Sequence, residues 1–247
     1  MTLLMQADQV QASLVRRVVE NLNIRGEDIS YIVVKAGLTI GSDDGSVIMQ
    51  LSSDHTVTMP IDLDTGSEAP NTWYYVWMIR NPATEAVDFK FSTSPTNPVM
   101  PSGFTQKRLI SAVRNNSSSD FFIYKQHGFD VFYWIEANLL GSWSGTTAWQ
   151  TLDFSSFVPV AMSRKILIEG HCHSQDTNAS QSLFYAPEGS PSPGVLLIHT
   201  RNTSNEAYHT SQFTILLSDA GTAQFYTTPA GGTYGGYVYV TGFTLDL

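Results

Sequence analysis

The chain has one cysteine, Cys172, in 247 residues. An internal disulfide is therefore impossible, and so is a zinc site of CxxC type. Charge is also scarce. Asp, Glu, Lys and Arg make up 14% of the chain, against about 25% in an average soluble protein. Only 13 residues are Lys or Arg, and they are thinly spread. Gripping a phosphate backbone needs clustered cations, so nucleic acid is not an expected partner. The formal net charge is −9, and 12 of the 22 acidic residues precede residue 90. No apolar run reaches the roughly 18 residues of a membrane helix, so no membrane insertion is expected. The opening MTLLMQADQVQASLVRR has no basic start, and Gln6, Asp8 and Gln9 break its apolar stretch. That is not the pattern of a secretion signal. The expectation is synthesis in a host cytoplasm, with any outside role reached by lysis or as part of a particle. Alternating strand and helix patterns are missing too, which disfavours Rossmann-like and α/β-barrel enzymes.

What the chain does have is 42% apolar residues, enough for a sizeable core. One amphipathic pattern stands at the start. Over residues 5–22, Val10, Leu14, Val15, Val18, Val19 and Leu22 recur at three- and four-residue spacing, and Gly26 closes the run. This spacing predicts a helix. Its apolar stripe either packs on its own domain or meets copies of itself or another protein. Val10, Leu14, Val15, Val18 and Leu22 are the expected docking or oligomer residues, and residues 1–27 the expected docking element.

From Ile29 the period becomes two. Short strands alternate with turn signals such as GSDDGS (41–46) and DTGSEAPN (64–71), giving about eight strands up to residue 127. TWYYVWMI (72–79) is apolar on both faces, which places it mid-sandwich or at an interface. FSTSPTNPVMPSGFTQKR (91–108) reads as a stiff bridge. Its three prolines hold the chain extended, and Gly103 supplies a turn. A boundary near Gly128 divides a module of residues 28–127 from a second β set over 128–247. The predicted fold class is all-β: two antiparallel β-sandwich modules, the second jelly-roll-like, with a short N-terminal α-helix.

Catalytic signals are sparse. There is no GxSxG elbow, and GSWSG (141–145) reads as a turn. HCH (171–173) would put His171 and His173 on one strand face. A zinc or nickel ion there needs a third ligand, such as His199 or His209. Asp43 and Asp44 lack the further oxygens of a calcium loop. Asp130, Glu136 and Asp153 are the acids available for glycoside cleavage. Neither a catalytic residue, a metal nor a cofactor is assigned. Exposed aromatics near loops are the more useful feature, because sugar rings stack on them and loops on a rigid sandwich carry binding. Trp143, Trp149, Tyr185, Tyr208 and Tyr234 are the expected ligand contacts.

LDTG (63–66), NTWYYVWMI (71–79), FSTSP (91–95), MPSGFTQKR (100–108) and SAVRNNSSSDF (111–121) follow in that order. Together they resemble a module of bacteriophage virion proteins, often tail fibres or other tail-associated proteins, over about residues 29–127. The resemblance implies a non-enzymatic component of a phage particle. As a tail fibre or spike it would be a homotrimer, docked to other virion proteins by its N-terminal part. Its C-terminal half would contact a host-surface glycan or protein. The alternative is a capsid decoration or head-fibre protein that stabilises the shell.

Overall fold

The computed structural model describes residues 11–134, 139–143, 149–174, 180–187, 195–201, 207–227 and 234–246. Val10 and Glu136 lie outside the described residues. The chain forms two compact units that meet in sequence at Val131/Phe132, four residues beyond the boundary read from the sequence. Both are built from antiparallel sheets, as the alternating patterns predict.

The first unit opens with helix over residues 11–16 and a turn at Arg17. The helix is shorter than the periodicity predicts. Val18 lies outside it, and β1 (Val19–Glu20) pairs with Ile40 and Thr39. The β-branched Val18 and Val19 favour extended backbone. Leu22 is buried in the unit's core rather than on a docking stripe. Of the expected docking residues, Leu14 is 61% exposed and Val15 half-buried. The helix rests on glycines. A Cβ on Gly41 would lie 1.7 Å from the Val15 carbonyl oxygen, and one on Gly45 2.3 Å from that of Ala12.

The strands that follow are β2 (Asn23–Gly26), β3 (Tyr31–Val34), β4 (Thr39–Gly41), β5 (Ile48–Gln50), β6 (His55–Thr58), β7 (Trp73–Arg80), β8 (Val87–Ser92), β9 (Gln106–Arg114), β10 (Tyr124–His127) and β11 (Asp130–Tyr133). β1, β4 and β5 make a small sheet. β10-β2-β3-β6 form one layer and β8-β7-β9 another. Between these two layers, Ser111 of β9 donates to Gln126 of β10 (2.6 Å), and the rings of His55 and Phe89 lie 4.8 Å apart. Gln126 is fully buried, and its amide donates to the carbonyls of Ile110 and Gly128, both at 2.9 Å. Each polar atom of that side chain is thus satisfied, as burial demands.

β7 has six consecutive buried residues, Tyr74 to Ile79. Its two faces are covered from within the chain. Tyr74 packs toward Phe121, with ring centroids 6.5 Å apart. Trp77 lies under the bridge: its indole N–H donates to the Ser94 carbonyl at 3.1 Å, and the Lys107 ammonium sits 5.1 Å from the ring centre. The sheet order explains the bridge. β8 and β9 flank β7 on opposite sides, so residues 93–105 must cross over β7. Asp64 Oδ2 accepts from the Val99 amide (2.7 Å), and Lys107 donates to the Thr96 carbonyl (3.0 Å), fastening the crossing.

The second unit contains β12 (Leu139–Trp143), β13 (Gln150–Asp153), β14 (Lys165–Ser174), β15 (Ser180–Pro187), β16 (Val195–Arg201), β17 (Ala207–Leu216), β18 (Thr222–Thr227) and β19 (Tyr234–Thr244). β12 occupies most of the GSWSG stretch that the sequence presents as a turn, pairing Ser142 with Tyr237. One sheet is ordered β17-β14-β19-β12 and the other β13-β18-β15-β16. Counting these eight strands in chain order, the sheets read 6-3-8-1 and 2-7-4-5. This is the double Greek-key order of a jelly roll. Ile166, Ile168, Cys172, Val238 and Val240 face inward from the first sheet. Leu183, Tyr185, Ala223 and Phe225 do so from the second. The layers approach closely at Gly170, where a Cβ would lie 3.0 Å from Leu183 and 3.2 Å from Ile198.

Candidate functional site

Alternation along β14 sends Ile166, Ile168 and Cys172 into the core. It sends Glu169 and His171 to the opposite, half-exposed face. Register then fixes their neighbours. Glu169 stands between Gln212 of β17 and Tyr239 of β19, and His171 between Thr210 and Tyr237. Cross-strand partners share a face, with Cβ atoms about 4.5–5.5 Å apart.

These side chains form a hydrogen-bonded row. Gln212 Nε2 donates to Glu169 Oε2 at 3.3 Å. His171 Nε2 and Glu169 Oε1 are 2.8 Å apart, and His171 Nδ1 and Thr210 Oγ1 3.1 Å. A carboxylate can only accept, so His171 carries a proton on Nε2. In the neutral ring, Nδ1 then accepts from the Thr210 hydroxyl. Tyr239 meets the His171 ring edge-on, with centroids 5.0 Å apart and planes at 66°.

A β-bulge completes the arrangement. On β14, Leu167 pairs with Gly242 and the next residue, Ile168, with Val240. Thr241 is the extra residue on β19, and bulges re-aim side chains in this way. Thr241, Tyr239, Glu169 and His171 line a cavity of about 250 Å³. It offers a carboxylate already oriented by two donors, two hydroxyls and an aromatic wall. It can bind a polar ligand that donates hydrogen bonds. Among the described residues, three metal-ligating side chains never cluster. Both ring nitrogens of His171 are engaged by Glu169 and Thr210. His199 is bound to Ser182 on the other sheet at 2.8 Å, and His209, which is exposed, stands opposite Cys172 in the register rather than beside His171. Among the described side chains the histidines do not converge; the side chain of His173 lies outside the described set.

The expected ligand aromatics are dispersed. Tyr185 is a core residue, 7% exposed, so the expectation that it meets ligand is corrected. Its hydroxyl donates to the Leu216 carbonyl and accepts from the Leu216 amide at 3.0 Å. Burial pushes its pKa above the ordinary tyrosine value despite that bond. Trp149 is half-buried, stacked near Tyr226 at 5.5 Å. The strand backbones at Trp143, Tyr208 and Tyr234 are described, but their side chains lie outside the described set. Asp153 holds a turn by accepting from the Ser155 amide at 2.8 Å.

The GSDDGS turn is likewise internally bonded. Asp44 Oδ1 accepts from Ser42 Oγ (2.5 Å), Ser46 N (3.0 Å) and Ser46 Oγ (2.8 Å). Desolvation would raise its pKa, but these bonds outweigh it and hold the carboxyl below the ordinary aspartate value. Asp43 is shifted up by burial, against the attraction of Arg108 at 3.5 Å. A larger hollow of about 510 Å³ lies in the first unit beside Asn23, Lys35 and His127. There the Lys35 ammonium is already paired with Asp54.

Residues 25–110, about a third of the chain, match the family model described as "Mtd second domain". No curated protein matches the chain. Among solved structures, the chain is similar to a Cry1Da tryptic core variant from Bacillus thuringiensis, at 9% identity and a TM-score of 0.23. That likeness covers 96% of this chain and 54% of the other, so the chain spans about half of it. A second likeness is to infectious bursal disease virus Gx strain, at 10% identity and a TM-score of 0.20, covering 92% of this chain and 73% of the other. At those TM-scores neither likeness carries an argument.

Proposed function

We propose that the chain is a non-enzymatic component of a bacteriophage particle, of tail-fibre or spike type, that attaches the particle to a glycan on the host surface through its second unit. The observation that carries this reading is the outer face of the β17-β14-β19 sheet. A strand face that was merely solvated would be open and independently hydrated. Here Glu169 and His171 are each about 30% exposed, joined in one hydrogen-bonded row, and gathered with Tyr239 around a cavity by a bulge. Pre-orientation of this kind lowers the entropic cost of binding.

Two further observations support the reading. The ordered motifs between Leu63 and Phe121 resemble those of phage virion proteins. The match over residues 25–110 overlaps that stretch from Leu63 to Ile110. The jelly roll itself serves capsid shells and lectins alike, so fold alone does not choose between attachment and shell decoration. In this reading the first unit docks to other virion proteins, and the protein acts as a homotrimer in the mature virion.

Immunogold labelling of purified virions with antibody against residues 132–246 tests the assignment. Label at the tail tip or along fibres is the expected result. Label spread over the capsid would replace attachment with shell decoration, and heat resistance of the head would become the property to measure.

A further inference from the structure

We infer that the Glu169 cavity is a monosaccharide subsite for a pyranose that presents adjacent hydroxyls and bears no negative charge. The inference rests on the attachment reading and adds the chemical class of the ligand.

The size argues for a single ring. About 250 Å³ falls just below the roughly 300–1,000 Å³ of pockets that enclose drug-sized ligands. One sugar ring fits that space, and a longer glycan must extend over the strand face beyond it.

The chemistry argues for a donor-rich, uncharged ring. Glu169 presents its carboxylate to the cavity, and an ionised carboxylate is acceptor-only. Two of its lone-pair directions are taken by His171 and Gln212. A ligand that covers the carboxylate must supply donors to its remaining acceptor capacity, because an acceptor desolvated and left unmatched is costly. Neighbouring hydroxyls of a pyranose donate to one carboxylate in the bidentate manner of other paired donors. The ring's apolar face can then lie on Tyr239, whose aromatic body is apolar and whose hydroxyl is polar. Thr241, brought in by the bulge, adds a hydroxyl that can donate or accept.

Charge argues against an acidic sugar. A ligand carboxylate or sulfate would meet the Glu169 carboxylate in a half-buried site, where like charges repel strongly. Among the described residues that line the cavity, none is a Lys or Arg that would offset that repulsion. The chain as a whole carries −9, so long-range steering also opposes an anionic polysaccharide.

The test is a glycan array probed with the full-length protein and with Glu169→Gln and Tyr239→Ala, followed by titration of the best ligand. Thermal unfolding of each variant confirms that the fold is retained. The expected result is binding to neutral or amine-bearing pyranosides, weakened about tenfold or more by each substitution. Glu169→Gln keeps the shape but turns part of the acceptor into a donor, so it separates chemistry from packing. Binding only to sialylated, uronic or sulfated glycans would overturn the inference and leave the attachment reading standing. Binding to neutral sugars that both variants retain at full strength would overturn the assignment to this cavity. Failure of the wild-type protein to bind any glycan, while it still adheres to host cells, would overturn the sugar chemistry and not attachment. Failure to bind either would remove both.

Discussion

Trp77 is 2% exposed and held on three sides: by the Ser94 carbonyl, by the Lys107 ammonium and by the β-strands flanking β7. Truncation to alanine removes a large buried ring and orphans the bridge contact. Trp77→Ala is expected to cost about 3–5 kcal/mol in denaturant unfolding. A second residue gives a pH signature. Cys172 is fully buried, and burial pushes its thiol from 9.0 to about 12. The folded chain therefore keeps a proton that the unfolded chain sheds above pH 9. Stability that is intact below pH 9 falls as pH rises toward 12, by up to about 4 kcal/mol from this group. Unfolding titrations should show that loss to be smaller in Cys172→Ala. In the native protein at pH 8, Cys172 should resist alkylation until denaturant is added. The inward and outward alternation of such residues was legible in the sequence. The buried place of Tyr185 was not, because an aromatic near a proline-rich loop looks the same in sequence whether it turns outward or inward. Glu169, Tyr239 and Thr241 escaped notice for a related reason. Their meeting depends on which residues stand opposite across three strands and on one bulge, and register of that kind is a tertiary property.

At the scale of elements, the bridge between β8 and β9 was legible from its prolines and glycine, and its purpose follows from the sheet order. Gly103 has φ of +83°, and a Cβ there would lie 2.6 Å from Asn81 Nδ2. Asn81 cannot easily give way, since its Oδ1 accepts from the amides of Ala83 (2.9 Å) and Thr84 (3.3 Å) in the turn after β7. Gly103→Ala should therefore destabilise the protein by about 1–3 kcal/mol. Part of that loss should be recovered in the Asn81→Ala background, as a double-mutant cycle in denaturant would reveal. The helix shows the converse case. Its three- and four-residue spacing ran on through Val18 and Leu22 by coincidence with a strand that alternates Leu22, Ile24 and Gly26 inward. Periodicity could not mark the switch, whereas pairing of Val19 with Ile40 enforces it. β12 was hidden because Gly141 and Ser142 have weak strand preference, and the edge of β19 supplies the partner that holds them extended.

At the scale of the molecule, the all-β class and the division into two modules followed from turn spacing. The jelly-roll order of the second unit needed the pairings of β14 with both β17 and β19. Of the two places that the doubly apolar pattern of β7 allows, mid-sandwich or an interface, the first holds: the bridge and Phe121 cover it within the chain. The proposed trimer would therefore have to use another surface. Light scattering of the purified protein is expected to give three times the 27.2 kDa chain mass, and a monomer would contradict the trimeric part of the reading. Host attachment can be read out by adsorption competition. Host cells are pre-incubated with saturating purified protein, and the fraction of phage adsorbed is then counted. Wild-type protein is expected to block adsorption, and Glu169→Gln to block it much less. Unchanged adsorption with wild-type protein at saturation would rule out host attachment by this protein.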